Sequence, residues 1–326
     1  MAAVLTPVTA FFLRFWEKLP TTISRPVRVF AWLSLIFQLV LIATGGAVRL
    51  TASGLGCPTW PRCTEDSFVN TPEMGLHGVI EFGNRMLTFV LAIIVIGAFL
   101  SIIRMRGQRR DLFVITFLQG MSIPFQAVLG GITVLTGLNP YVVGAHFLVS
   151  IVLVGLATTL MYRVYVGPRG ADRTAHGWFI GVTHLTSFFV AVTVIVGILT
   201  TGSGPHAGDN SNPLKPAPRN GLDTDFLQHL HSWPGYITLA LTLVLVAAVL
   251  RSGVTSARTR RYVLTLLAIE VVQIAVGVTQ ARLGLPELLV GIHMVLAGLL
   301  VAAMTAVVLS LRTVDLQRLA YTRELV

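Results

Sequence analysis

Apolar stretches with at most one charged residue alternate along this chain with short polar, often basic segments, and their lengths predict transmembrane helices. A helix needs about 20 mostly apolar residues to cross a hydrocarbon core of about 30 Å. Six stretches each fit one helix: Val29–Val48, Met86–Ile103, Gly177–Thr201, Phe226–Leu250, Tyr262–Ala281 and Leu288–Leu311.

A seventh stretch, Leu112–Tyr162, has no charge over 51 residues, which is too long for a single helix. In its middle, Thr136–Pro140 reads Thr-Gly-Leu-Asn-Pro, which is a turn signal. The stretch therefore predicts two helices. Together these patterns predict an all-α membrane protein with eight transmembrane helices.

Composition and charge agree with this interpretation. The 326 residues are 54% hydrophobic and 12% charged, with a mean hydropathy of +0.78, whereas soluble domains are about 25% charged. Of the 24 lysines and arginines, 18 fall before the first predicted helix, in the even-numbered connections or after the last helix. This bias predicts that both termini are cytoplasmic. The net charge of +10 then reflects topology and anionic lipid, and is no evidence for nucleic-acid binding.

Two parts of the chain are similar at a fixed offset of 147 residues. Between Gln126–His146 and Gln273–His293, seven of 21 positions are identical without a gap. The identical pairs are Gln126/Gln273, Gly130/Gly277, Gly137/Gly284, Leu138/Leu285, Val143/Val290, Gly144/Gly291 and His146/His293. A further match, Thr51–Gly54 against Thr201–Gly204, has an offset of 150. Chance alignment of common membrane residues does not readily explain matched Gln and His, so an internal duplication is predicted.

The duplication predicts two bundles of four helices each. Because four is an even number, both copies enter the membrane in the same direction, as in parallel repeats. The expected segments are a cytoplasmic N-terminal segment 1–28, a first repeat 29–166, a cytoplasmic linker 167–176, a second repeat 177–312 and a cytoplasmic tail 313–326. No short apolar core with a cleavage site precedes the first helix, so we predict no removable signal peptide.

Two histidines of the second half suggest a cofactor site. Imidazole is costly in hydrocarbon and is a common metal ligand. His231 and His293 fall near the outer ends of two different helices, where two facing imidazoles can hold a haem iron from both sides. The alternative is that both rings bond to backbone carbonyls or lipid headgroups.

The first half carries a different polar set at the corresponding level. His77, Glu81 and Asn84 lie on one helical stripe, and the offset of 147 maps His231 onto Asn84. Arg85 follows Glu81 by four residues and can pair with it or with a haem propionate. A carboxylate in a water-poor site is a candidate proton donor or acceptor. The alternative is an ion pair that anchors the helix at the membrane interface.

With these residues in place, the chain resembles the haem A synthase family, membrane enzymes that oxidise a methyl group of haem O to the formyl group of haem A. The resemblance covers nearly the whole chain. It rests on the eight-helix duplication, on the histidines of helices four, six and eight, and on two motifs. These motifs are Thr-Ala-Ser-Gly-Leu-Gly-Cys-Pro-Thr-Trp-Pro-Arg-Cys at 51–63 and Ile-Glu-Phe-Gly-Asn-Arg at 80–85.

The resemblance implies a role for each half. His231 and His293 are expected to ligate a resident haem b, while His146 ligates the iron of the substrate haem. Glu81 is expected to take part in the oxidation, by stabilising a cationic carbon or by moving protons. A bis-histidine b-type cytochrome of electron transfer is the closest alternative function, and a transporter is a third.

The sequence departs from the family pattern at Asn84, where many members have a histidine. Asparagine is a poor iron ligand. Either the substrate iron is five-coordinate on His146, or His77 supplies the second bond. An open position is favoured, because His77 precedes Asn84 by seven residues, about 10 Å along a helix, and that displacement would tilt the porphyrin.

Cys57 and Cys63 are the only cysteines and lie in the first outer loop. On the oxidising side of a membrane such a pair is expected to form a disulfide. In the family the pair has been linked to redox function, while a purely structural staple is the alternative. The corresponding second loop contains no cysteine.

Several other polar residues are not expected to ligate iron. His206 is expected in a solvated loop, and His176, His184 and His229 are placed away from the ligands. Glu270 falls near the middle of the seventh helix, where a charge is expensive and often functional. We expect either a protonated carboxyl bonded to a neighbouring helix or a proton relay.

The resemblance also implies partners and a location. Haem O and haem A are the expected substrate and product, and haem O synthase and cytochrome c oxidase assembly are expected partners. The expected location is a bacterial cell membrane, crossed several times. The sequence leaves a homo-oligomer open.

Overall fold

The structure, a computed structural model, describes residues 7–209, 216–251 and 254–316. Within these residues the chain forms nine α-helices: α1 (Pro7–Lys18), α2 (Arg25–Leu50), α3 (Gly75–Ile102), α4 (Arg110–Leu135), α5 (Pro140–Tyr165), α6 (Gly177–Ser203), α7 (Thr224–Val249), α8 (Ala257–Arg282) and α9 (Glu287–Ser310). Short 3-10 turns, Pro72–Met74 and Ile103–Met105, flank α3. Helices α2 to α9 are each long and apolar enough to span a membrane. The predicted all-α membrane fold with eight spans is confirmed.

Helix α3 begins at Gly75, eleven residues before the charge-free stretch that starts at Met86, and includes the helical stripe predicted from His77 to Asn84. The charge-free stretch itself begins only after Glu81 and Arg85. In the structure these two side chains pair one turn apart on the same helix, so the helix continues through them. The polar stripe that starts at His77 is therefore helical throughout.

Three elements outside the spans were not predicted. Helix α1 lies within the N-terminal segment, and its Phe11 and Trp16 side chains are exposed. Strand β1 (Arg169–Arg173) lies in the linker and pairs antiparallel with strand β2 (Arg312–Val314). Both strands are short and mostly polar, β1 largely exposed and β2 half-buried, so no alternation of apolar residues indicates them in the sequence. The sheet joins the linker to the residues that follow α9.

The eight long helices form two rings of four with the same order of neighbours. In the first half α2 packs on α3, α3 on α4, α4 on α5, and α5 back on α2. In the second half α6, α7, α8 and α9 repeat this order. The halves meet where α2 and α5 contact α9 and where α5 contacts α6. This arrangement is compatible with the predicted duplication.

The turns inside the two matched segments have the same backbone conformation. Gly137 and Leu138 have φ angles of +60° and +63°, and Gly284 and Leu285 have +74° and +61°. A leucine in the left-handed region is uncommon because Cβ approaches the backbone, at a cost of roughly 1 kcal/mol. Its N–H bonds back to the carbonyl five residues earlier in both turns, at 2.8 Å. The sequence identity thus corresponds to a shared three-dimensional turn.

The packed cores and the open space lie at opposite ends of the bundle. We call the end that carries the linker 167–176 the linker end, and the end that carries residues 51–63 the loop end. Buried clusters fill the linker end of each half, around Leu112 and Leu160 in the first half and around Leu245 and Leu266 in the second. Between the halves, a third cluster joins α2, α5, α6 and α9. The loop end, in contrast, contains a large cavity.

Candidate functional site

The cavity has a volume of about 1,500 Å³ and draws its walls from all eight long helices. Most ligand pockets have about 300–1,000 Å³, so this space can take an unusually large ligand or more than one. Its walls are mostly apolar, with a limited set of histidines, amides and charged side chains between them. Such a lining suits a large, mostly apolar molecule that carries a few polar or charged groups.

His231 of α7 and His293 of α9 face each other across the second half of the cavity. Their ring centres are 6.1 Å apart and their planes are inclined by 77°. Two imidazoles on opposite sides of one metal, each bonded at about 2.0 Å, would hold their ring centres about 6 Å apart. The observed separation therefore fits a shared metal ion, as in a bis-histidine haem.

Each of the three sequence-predicted ligand histidines packs against a glycine of the preceding helix. A methyl group added at Gly197 would lie 2.7 Å from Cε1 of His231. The same addition at Gly277 would lie 3.0 Å from Cε1 of His293, and at Gly130 it would lie 3.3 Å from Cε1 of His146. Larger side chains would push these rings. The glycines thus form cradles that set the position of each imidazole.

Some imidazole nitrogens of these histidines have no hydrogen-bond partner among the described residues. Nδ1 of His146, His231 and His293 is buried and has no hydrogen-bond partner among the described residues. Buried polar atoms without partners are rare in native proteins and often mark a functional site. These orphaned atoms and the glycine cradles fit a ligand that engages the rings.

Matched glutamines tie the helices of both His-bearing hairpins together. Gln126 of α4 donates through Nε2 to the carbonyl of His146 at 3.3 Å and to Oγ of Ser150 at 2.9 Å. Gln273 of α8 donates in the same way to the carbonyl of His293 at 3.2 Å. The identity of glutamine at both positions therefore has a common structural reason, which is to fix each histidine-bearing turn.

The first half differs at the position that corresponds to His231. Asn84 lines the cavity, and its Oδ1 accepts a hydrogen bond of 2.7 Å from Oγ1 of Thr44 in α2. His146 lines the same space. The second half thus presents an imidazole pair, whereas the first half presents one imidazole and one amide.

Glu81 is buried, 5% exposed, and lines the first half of the cavity. Its Oε2 accepts a hydrogen bond of 2.6 Å from the backbone N–H of Cys57. Its Oε1 accepts hydrogen bonds from Arg85, one turn further along α3. The carboxylate is thus fixed both by its own helix and by the loop that follows α2.

The disulfide between Cys57 and Cys63 is present, as predicted, and Arg85 holds the loop that it closes. The guanidinium donates to the carbonyl oxygens of Cys57, Thr59 and Arg62 at 3.1 to 3.3 Å. Of the two partners expected for Arg85, the structure therefore shows the Glu81 pairing, and it adds the loop carbonyls.

Trp60 lies in the loop closed by the Cys57–Cys63 disulfide, and its side chain forms part of the cavity wall. Its ring packs so closely on Gly131 of α4 that a methyl group there would overlap the indole. The neighbouring Gly54 donates from its N–H to the carbonyl of Gly208 at 2.8 Å. The loop thereby covers the first half of the cavity and also contacts the loop that follows α6 in the second half.

His77 is brought to a different place. Its Nδ1 lies 2.9 Å from Oγ of Ser53 in the loop after α2, its side chain is exposed, and it is not part of the cavity wall. The structure therefore unites Glu81, Asn84, Arg85, His146 and the histidine pair around one cavity, and leaves His77 outside it.

Some residues of the wall were not assigned to it from the sequence. His206 lines the cavity with Nε2 2.9 Å from the carbonyl of Leu285, where we expected a solvated ring. Arg49 and His229 also line it. Glu270 of α8 is 2% exposed and lines the second half, with Thr242 of α7 as its polar neighbour. The available signal was that Glu270 precedes Gln273 by three residues, which places both on one helical face.

The fold and the site define a multi-pass membrane protein with a histidine-lined cavity at one end. Comparison with known proteins places it in a family. A family model described as cytochrome oxidase assembly protein (COX15-CtaA) matches residues 28–305, so the chain belongs to that family.

Three relatives, each named Heme A synthase, illustrate the similarity. The chain is 26% identical to the Bacillus licheniformis protein over 231 residues, which is 68% of this chain and 73% of the relative. It is 28% identical to the Bacillus pumilus protein over 181 residues, 54% of this chain and 57% of that relative. It is 29% identical to the Lysinibacillus sphaericus protein over 174 residues, 52% and 54%. For the last two relatives the match therefore spans little more than half of their length.

Proposed function

We propose that this protein is a haem A synthase, an oxidoreductase that converts a methyl group of haem O into the formyl group of haem A. The observation that carries the proposal is the asymmetry of the cavity. One half has a histidine pair with the spacing of two ligands on one iron, and the other has one histidine, an asparagine and a buried carboxylate. The family and the names of its relatives support the same reaction.

In the second half, His231 and His293 would hold a resident haem b. When bound, such a haem supplies one-electron transfer. The chain's own contribution is to fix both rings, through the cradles at Gly197 and Gly277 and through the hydrogen bond from Gln273 to the His293 backbone. A rigid pair of imidazoles would retain such a haem and would suit it to electron transfer rather than to chemistry on a bound substrate.

In the first half, His146 would bind the iron of the substrate haem and Asn84 would leave the other side without a strong ligand. A single imidazole holds the haem less tightly than a pair does. This difference suits a site that must accept haem O and release haem A. Asn84 is held by Thr44, which keeps its amide oxygen away from an iron-ligating role.

Glu81 would act on the reacting methyl group. Its buried carboxylate can hold or accept a proton, or stabilise positive charge on the carbon during oxidation. The Cys57 N–H and the Arg85 guanidinium fix both oxygens, so the position of the carboxylate is set before substrate binds. Because Arg85 is engaged by Glu81 and by loop carbonyls, we assign it to positioning and not to a haem propionate.

The disulfide would act as a staple of the cavity wall. It closes the loop whose Cys57 N–H holds Glu81 and whose Trp60 packs on α4. Through these contacts the loop shapes the substrate half of the cavity. Electron transfer through the cysteine pair is the alternative role, and the activity of Cys57→Ser distinguishes the two roles.

The remaining assignments follow from this function. We propose a bacterial cell membrane location with both termini cytoplasmic, the loop end outward, and the repeat boundaries at 29–166 and 177–312. Haem O synthase would supply the substrate, and the product would enter cytochrome c oxidase assembly.

The direct test is to express the chain together with a haem O supplier in a host that makes no haem A. Extracted haems are then separated by chromatography and identified by spectrum. Haem A or its hydroxylated intermediate supports the proposal. If the extract contained only haem B and unchanged haem O, the result would contradict the proposal and favour a b-type electron-transfer cytochrome. His146→Ala provides a control, because it removes only the proposed substrate ligand.

A further inference from the structure

Arg49 is a cation of the cavity wall whose counter-ion is not supplied by the described part of the chain. It lies at the loop end of α2, and its Nη2 donates to the carbonyl of Thr201 in α6 at 2.9 Å. Its Nε is buried and has no hydrogen-bond partner among the described residues. No carboxylate of those residues lies within ion-pair distance of Arg49. A half-buried guanidinium that lacks a counter-ion and has one buried, unpaired N–H can still bind an anion.

The contact with Thr201 fixes the height of Arg49 relative to the histidine pair. Thr201 follows Gly197 by four residues, about one helical turn, and Gly197 is the cradle of the His231 ring. The guanidinium is therefore about one turn nearer to the loop end than His231 is.

Contacts of α2 with α9 give the same height on the other side of the pair. A methyl group added at Gly291 would lie 3.3 Å from Cδ1 of Leu50. Gly291 precedes His293 by two residues, and Leu50 is the direct neighbour of Arg49. Helix α6, which carries the cradle of His231, and helix α9, which bears His293, thus both contact the loop end of α2, where Arg49 lies.

We propose that Arg49 binds a propionate carboxylate of the haem held by His231 and His293. This inference rests on the proposed function, because it needs a haem on that pair. A haem ligated there would turn its carboxylates toward the polar loop end, where Arg49 lies. A planar guanidinium matches a carboxylate with two parallel hydrogen bonds. At the offset of 150, the counterpart of Arg49 is Leu199, so the second repeat does not duplicate this cation.

The proposal is tested on purified protein with its co-purified haem by two measurements besides turnover. One is the midpoint potential of the low-spin haem, and the other is the rate of haem transfer to an excess of a haem-scavenging apoprotein. Arg49→Gln removes both the positive charge and the planar guanidinium that donates two parallel hydrogen bonds. Arg49→Lys keeps the charge but not the paired donors. Arg219→Gln is the matched control, since Arg219 is an exposed arginine between α6 and α7 and is not part of the cavity wall.

We expect Arg49→Gln to lose haem at least about tenfold faster, the scale of a hydrogen bond to a charged group, and to lower the midpoint potential, because a nearby cation favours the reduced haem. Arg49→Lys should recover most of the potential but only part of the haem retention. Arg219→Gln should behave like the unchanged protein. Size-exclusion profiles establish that each variant is folded.

Unchanged potential and unchanged haem loss in Arg49→Gln, with haem still on the histidine pair, would overturn this inference alone and leave the proposed function standing. Absence of any bound haem from the unchanged protein would overturn both. A slower turnover without a change in either haem property would also count against Arg49 as the propionate partner.

Discussion

The close contacts between glycines and histidine rings predict that alanine substitution has effects of different size at three positions. Alanine at Gly197 would place its methyl carbon 2.7 Å from Cε1 of His231, closer than the 3.0 Å below which such contacts essentially never occur. The same change at Gly277 gives 3.0 Å to Cε1 of His293, which is at that limit. At Gly130 the distance to Cε1 of His146 is 3.3 Å, just short of the 3.4 Å at which ordinary contacts begin.

The amount by which each distance falls below 3.4 Å is the shift that the histidine ring must make. This shortfall can be compared with the tolerance in the length of a metal–ligand bond, which is about 0.2 Å. At Gly197 and Gly277 the shortfall exceeds that tolerance, whereas at Gly130 it lies within it. We therefore expect Gly197→Ala to disturb the bis-histidine haem most, Gly277→Ala less, and Gly130→Ala to disturb the His146 site little. Alanine favours a helix over glycine by about 1 kcal/mol, so a loss of haem would not reflect an unstable helix.

The assay is the low-spin absorbance spectrum and the haem-to-protein ratio of each purified variant. Gly181→Ala is the matched control, because Gly181 lies on α6 like Gly197 but outside the cavity wall, and its added methyl group would meet nothing within 4 Å. If Gly197→Ala and Gly181→Ala had the same spectrum and haem content, the reasoning from the cradle would be refuted.

Three further predictions concern the first half. Glu81→Gln should keep the haem content but reduce formyl formation by about 100-fold or more, the usual scale of acid–base catalysis; wild-type haem A yield would exclude Glu81 from the chemistry. Cys57→Ser should lower the thermal midpoint in detergent, because opening this short loop removes about 2 kcal/mol, yet it should retain haem A formation at low temperature. Loss of turnover in the folded variant would instead assign the cysteines a redox step. Asn84→His should increase the fraction of protein that co-purifies with a second low-spin haem, since it supplies a partner for His146; an unchanged haem-to-protein ratio would contradict the proposed correspondence with His231.

Much of the fold follows from local features of the sequence. Apolar length indicates seven stretches, one of which contains Glu270, and the Thr136–Pro140 signal divides the longest at the observed turn between α4 and α5, which gives eight spans. The offset that pairs Gln126 with Gln273 also identifies two turns of equal conformation. These features depend on neighbours within one hairpin, so the linear pattern contains them.

Features that depend on charge pairing or on contacts between the halves were harder to predict. The charge-free stretch alone marks the start of α3 too late, because Glu81 and Arg85 interrupt it, and only the spacing of the polar stripe from His77 indicated the earlier helical turns. The place of Arg49 in the cavity wall depends on how α2 packs against α6 and α9, which no local spacing encodes. His206 was expected in solvent because its loop is polar, yet the loop folds over the cavity to reach Leu285.

The central claim is that one cavity holds two unlike haem positions, a closed bis-histidine site and an open exchange site. The most direct measurement is quantitative haem analysis combined with electron paramagnetic resonance of the purified protein, in the unchanged chain and in His293→Ala and His146→Ala. We predict one bis-histidine low-spin signal per chain, lost in His293→Ala and retained in His146→Ala. Two equivalent bis-histidine signals per chain, or a signal that survives His293→Ala, would contradict this account.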